Sequence, residues 1–164
     1  MGIIFLDIDG VLNSQKYLIS NHDKVALFYH KYGKEISDEL FLIRKMYDID
    51  FSKVNILKEI IDITDAKVVI ISSWKKLKIY PYIRDKLIEI GIPIIGETID
   101  DGSDRGSGIK RYILENNIDN YVIIDDSKFD DYDNELIKRL IMTSFYDEGL
   151  KEDQKDKVVK ILRK

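Results

Sequence analysis

A chain of 164 residues with 45% hydrophobic and 34% charged side chains has the make-up of one folded domain, long enough to bury a core. Its formal charge of −4 argues against a broad basic surface for non-specific nucleic-acid binding, and the lack of cysteine excludes disulfides, thiolate metal sites and cysteine nucleophiles. No run is apolar for long enough to cross a bilayer and no signal-peptide pattern opens the chain, so a cytoplasmic protein without a membrane partner is expected.

The first element is the apolar run Ile3-Ile4-Phe5-Leu6, which reads as a buried parallel strand and ends in Asp7-Ile8-Asp9-Gly10. Two carboxylates one residue apart repel unless a cation sits with them, and Mg2+ takes oxygen ligands from carboxylates and substrate phosphate. A calcium loop would need an oxygen ligand at Val11 and a glutamate at Leu18, so that reading fails. The plain alternative is a polar turn in which Gly10 supplies a positive φ.

Residues 14–50 are the least patterned, with Phe28, Tyr29, Tyr32, Phe41 and Tyr47 scattered among charges. We expect one or two helices there, forming a small cover over the site. From Ser52, read as an N-cap, Val54, Leu57, Ile60 and Ile61 recur at helical spacing and predict a helix to about Asp65. Lys67-Val68-Val69-Ile70-Ile71 is a second buried strand and ends in Ser72, Ser73 and Trp74.

A helix over residues 80–89 closes at Gly91, residues 92–95 form a short strand, and residues 97–107 form a polar loop. Ile109, Tyr112, Ile113 and Leu114 mark another helix, closed by Asn116 and Asn117. Tyr121-Val122-Ile123-Ile124 is a third clear strand and ends in Asp125-Asp126. A helix at 134–139, a strand at 140–143 and a basic-faced helix at 152–162 complete the chain. Strands alternating with helices predict an α/β fold, doubly wound (Rossmann-like), with a mostly parallel sheet covered by helices on both faces. In such a sheet the acids and hydroxyls that follow the three strands share one edge, where ligands bind.

Asp7-Ile8-Asp9-Gly10-Val11, a strand ending in Ser72, an upstream basic residue and a strand ending in Asp125-Asp126 resemble the four motifs of the haloacid dehalogenase superfamily. Most members of that superfamily are Mg2+-dependent phosphohydrolases. Residues 56–74, the segment from Arg105-Gly106 to Tyr112, and Gly149-Leu150 are similar to a small-capped branch whose relatives occur as phosphatase domains in RNA-repair proteins. The resemblance implies that Asp7 is the nucleophile and Asp9 the general acid and base. It implies Mg2+ held by Asp7, by the main-chain carbonyl of Asp9 and by Asp126, with Asp125 a second metal-site or orienting acid. Ser72, with Ser73 as the fallback, would bind phosphate beside Gly10. The third motif usually carries lysine; here Arg105 is the first choice for its cation and Lys110 the alternative.

Other residues carry weaker expectations. Trp74 either stacks on a base or sugar or packs in the core. The run Lys75, Lys76 and Lys78 is a solvated face or a contact for a polyanionic substrate. Asp130 and Asp131 are candidates for support behind the metal. His22 and His30 read as cover or surface residues rather than a zinc site. The expected substrate is a phosphorylated small molecule or a nucleic-acid end, with phosphoproteins and sugar phosphates as alternatives. A catalytically silent scaffold would have lost Asp7 or Asp9. A receiver module would carry its acceptor on a middle strand, and no phosphate-cradling Gly-x4-Gly-Lys-Ser/Thr loop occurs.

Overall fold

Five apolar segments form the strands β1 (Ile3–Leu6), β2 (Lys67–Ile70), β3 (Ile94–Glu97), β4 (Tyr121–Asp125) and β5 (Leu140–Met142) of a computed structural model describing residues 1–100 and 104–163. All pair in parallel in the order β3-β2-β1-β4-β5, so the sheet is wholly parallel where a mostly parallel one was expected. Parallel strands need long crossovers, and helices supply them. These are α1 (Gln15–Ser20), α2 (His22–Tyr32), α3 (Asp38–Met46), α4 (Phe51–Thr64), α5 (Tyr80–Glu89), α6 (Arg105–Asn116), α7 (Asn134–Lys138) and α8 (Glu152–Leu162).

Alternation along the strands divides the core between the two faces. Ile4, Leu6, Val68, Ile70, Val122 and Ile124 pack with α4, α5 and α8, whereas Ile3, Phe5, Val69, Ile71, Tyr121 and Ile123 pack with α6 and α7. Coverage on both faces is why β1 and β4 are fully buried, apolar runs. Strands leave β1 in both directions along the sheet, so the gap between the carboxyl ends of β1 and β4 is the switch point at which α/β folds bind ligands.

Several local expectations are corrected. Asp50, in extended backbone, caps α4 by accepting the backbone N–H of Ser52 at 2.9 Å, so Ser52 lies inside the helix. The third strand begins at Ile94, because Ile92 is drawn into the core and the pairing with β2 shifts between Val68 and Val69. Three helices occupy residues 14–50 rather than one or two, with Ser14 and Ser37 capping α1 and α3. Part of the loop expected over 97–107 is structured: Glu97 ends β3 and α6 starts at Arg105, while residues 101–103 lie outside the described residues. Among the described residues no helix is long and apolar enough to cross a membrane.

Candidate active site

Asp7 follows β1 and is held from both sides. Its backbone N–H donates to the Ile124 carbonyl at 2.9 Å, and its Oδ1 accepts the N–H of Ile8 at 2.8 Å. Gly10, at φ +74°, turns the chain beneath it; a Cβ there would lie 2.3 Å from an Asp126 carboxylate oxygen, so only glycine lets loop and acid approach this closely. Asp125 ends β4 and is wholly buried; Asp126 is half-buried. One oxygen from each of Asp7, Asp125 and Asp126 lies within 4.8 Å of the others.

Arg105, the first residue of α6, reaches into this group. Its Nη1 lies 2.7 Å from Asp125 Oδ2 and 3.1 Å from Asp7 Oδ2, and its guanidinium carbon sits 4.3 Å from the centre of the Phe129 ring. The remaining bonds of Asp125 come from the Tyr132 hydroxyl at 3.1 Å and the Ser127 N–H at 2.9 Å. Asp131 fixes where α6 begins, because its two oxygens accept the N–H groups of Gly106 and Ser107 at 3.0 and 2.7 Å. Asp131 therefore supports Arg105 rather than a metal ligand, and Asp130 is exposed. Lys110, one helical turn on, points to the surface and pairs with Asp133 at 2.7 Å.

Burial, and then the charge of Asp7, push the Asp125 carboxyl up to about 6 against the opposing pull of Arg105. Burial also raises Asp126. Arg105 is one positive charge against three gathered carboxylates, an imbalance that a hard divalent cation relieves. The donor set fits such an ion, since all three groups are carboxylates close enough to share one centre. Asp126 has the freer oxygens of the β4 pair, its Oδ1 accepting only the exposed Ser127 hydroxyl at 3.1 Å among the hydrogen bonds described.

Asp9 stands apart from that group. Its Oδ1 accepts from Asn13 Nδ2 at 2.9 Å and its Oδ2 from Trp74 Nε1 at 2.8 Å, while Asn13 Oδ1 accepts the Gly10 N–H at 2.9 Å. Its side chain is not among the clustered oxygens, which separates it from Asp7, Asp125 and Asp126 as a side-chain ligand. Ser72 is buried at the end of β2, and its hydroxyl accepts the Trp74 N–H at 3.3 Å; Ser73 is exposed and opens a 3-10 turn over Ser73–Lys76. Trp74 is 3% exposed, with Lys45 Nζ 3.9 Å from its ring centre, so of the two readings its burial favours packing in the core.

The lysine run also divides. Lys75 is half-buried, its side chain covered and bonded to Asp100 and, at 2.8 Å, to Thr98, and burial lowers its pKa; it is committed within the fold. Lys78 is exposed and pairs with Asp38 of α3. His22 and His30 are on the surface of α2. Sequence reasoning missed Asn13, Tyr132, Ser127 and the Lys75–Asp100 pair. Asn13 alone left a trace, as an amide four residues beyond Asp9.

The chain matches the family described as "HAD domain in Swiss Army Knife RNA repair proteins" over residues 3–154, nearly its whole length. It belongs to that family. No curated protein and no solved structure matches the chain. Membership in this branch of the haloacid dehalogenase superfamily agrees with the α/β sheet and points to hydrolase chemistry of the phosphatase kind.

Proposed function

We propose that this domain is a Mg2+-dependent phosphohydrolase that cleaves a phosphomonoester through an aspartyl-phosphate on Asp7. The observation that carries the reading is the bridge from Arg105 to Asp7 and Asp125, with Asp126 beside them at the switch point of the sheet. A carboxylate can act as nucleophile when its charge is balanced and its lone pair held in line. Arg105 supplies both, and its permanently charged guanidinium does so where the superfamily more often uses lysine.

A remaining lone pair of the Asp7 carboxylate attacks phosphorus, forming the acyl-phosphate bond as the bond from phosphorus to the leaving oxygen breaks. Asp9 gives that oxygen its proton. The resulting Asp9 carboxylate then takes a proton from the water that attacks the acyl phosphate, releasing inorganic phosphate and restoring Asp7. Ser72 and the N–H groups of the turn that follows bind the phosphate oxygens in this scheme. Mg2+ would be held by Asp7, Asp126 and the main-chain carbonyl of Asp9, and when bound it neutralises phosphate charge. Asp125 serves instead to orient Arg105.

The family's occurrence in RNA-repair proteins favours a nucleotide or a nucleic-acid end as substrate. The test is phosphate release from an aryl phosphate, from nucleotides and from phosphorylated RNA and DNA ends, with and without Mg2+. Activity should require Mg2+ and fall by about 10³-fold or more in Asp7→Asn. Turnover on a nucleic-acid end should also weaken steeply with salt, whereas a flat response would remove that substrate class. A folded, Mg2+-supplied protein that releases nothing from any of these substrates would overturn the reading in favour of a binding scaffold.

A further inference from the structure

Both oxygens of Asp9 are engaged by N–H donors, Asn13 Nδ2 at 2.9 Å and Trp74 Nε1 at 2.8 Å. The first comes from the loop that carries Asp9. The second arrives from the 3-10 turn after β2, 65 residues away in sequence. An indole N–H only donates, and a carboxylate has about four lone-pair sites, so each oxygen keeps a free one while the plane of the group is fixed. Trp74 is itself held, by its backbone N–H on Ser72, by burial in the core, and by Lys45 of α3 over its ring. Filling the core needs only an aromatic ring; aiming the indole nitrogen at an acid is a separate feature.

We propose that Trp74 is a positioning residue for Asp9, and that Lys45 extends this control to the helical segment after β1. The proposal rests on the phosphohydrolase reading and deepens it. Trp74 sets the direction from which Asp9 delivers its proton to the leaving oxygen, and α3 steadies Trp74 through a cation over the ring. It does not touch substrate. Residues 14–50 thus act on the chemistry through the acid rather than through contact with phosphate.

The experiment compares two substrates. The phenolate of an aryl phosphate departs with little help from an acid; the alkoxide of glycerol phosphate needs its proton. Because Asp9 also serves as base in the later hydrolysis of the acyl phosphate, the readout is kcat/KM, which stops at leaving-group departure: Trp74→Phe should lower it by about tenfold or more on glycerol phosphate and leave the aryl phosphate within about threefold. In an Asp9→Asn background the same substitution should change neither substrate further. Lys45→Met should give the same pattern at about two- to threefold.

Trp74 is the single tryptophan of the chain, so growth on the sulfur analogue benzothienylalanine replaces its N–H with the ring shape retained, which covers the case in which Trp74→Phe does not fold. Equal losses of kcat/KM on the two substrates, or a loss that persists undiminished without Asp9, would reduce Trp74 to a packing residue and overturn the proposal. Wild-type protein inactive on both of these substrates, on nucleotides and on phosphorylated nucleic-acid ends would instead remove the phosphohydrolase reading itself.

Discussion

The acid-bearing edge of the sheet and the helical segment that follows β1 are built in opposite ways. At the edge, Asp7, Asp125 and Arg105 are buried and bonded to one another, the two acids at the ends of the fully buried strands β1 and β4 and the arginine at the start of α6. In the helical segment, α1 and α3 have no fully buried residue and α2 has only Phe28. That segment is held by rings meeting rings, Phe28 against Tyr29, Tyr32 and Tyr47, and by cations over rings, Lys24 on Tyr47 and Arg44 on Tyr29. Such contacts are individually weak and local. The edge is therefore fixed inside the main core, while the segment joins that core along one side, through Leu42 and Met46 of α3 and through Ile49, and touches the site through Lys45 and Trp74.

The largest loss is expected when the cation at the edge is removed. Arg105→Met leaves the carboxylates of Asp7 and Asp125 buried side by side, and losing one partner of a buried pair costs about 3–5 kcal/mol, moderated here because Asp125 can take up a proton. Thermal unfolding should report that loss, and phosphate release should fall by about 100-fold or more. Lys110→Ala is the control: its lysine pairs at the surface with Asp133, so turnover should stay within about twofold of wild type. The reverse order of effects would make Lys110 the third-motif cation.

That control matters because the sequence left Arg105 and Lys110 both open. The helix start was hidden from periodicity, since it is set by Asp131, which lies 25 residues from Gly106 and caps α6 through the fold. The strands were legible because burial on both faces leaves unbroken apolar runs, and the acids and serines stand directly after them. The segment over 14–50 was not, because its helices are short, at 6, 11 and 9 residues, and carry few apolar side chains against their charges, with Phe28 alone fully buried. The partners of Asp9 were equally hidden: nothing in the order of residues says that Trp74 turns its nitrogen to a carboxylate instead of offering its ring to a base.

A second test asks how tightly the edge is wound, and uses pH. Asp125 has a pKa near 3.8 when free and about 6 in the fold, so between those values the folded state binds more protons than the unfolded one. Stability from this group is therefore present at low pH and is lost as pH rises through about 6. The loss between pH 5 and pH 7 is roughly 1 kcal/mol. Metal-free protein should show a lower Tm at pH 7 than the other carboxylates alone would give, and Asp125→Asn should flatten that slope. Added Mg2+ should raise Tm more at pH 7 than at pH 5, because binding competes with the proton. A slope that survives Asp125→Asn would place the charge strain elsewhere.

The smallest effect on global stability is expected from the most conspicuous side chain of the other region. Phe28 is 5% exposed and gathers three tyrosine rings, so Phe28→Ala opens a hole that in a cooperative core would cost about 3–5 kcal/mol. Phe5, wholly buried between Tyr112 and Tyr121, is the matched substitution in the sheet and should show that full cost. If the helical segment opens on its own, Phe28→Ala should move the global Tm by less than about 2 °C while amide exchange across α2 and α3 speeds up and the strands stay protected. Turnover of substrates that need a proton should fall with it, because loosening α3 frees Lys45 from the ring that holds Asp9. Equal losses of Tm in Phe5→Ala and Phe28→Ala would make the two regions one cooperative unit, with Asp9 held as firmly by the segment as Asp7 is by the sheet.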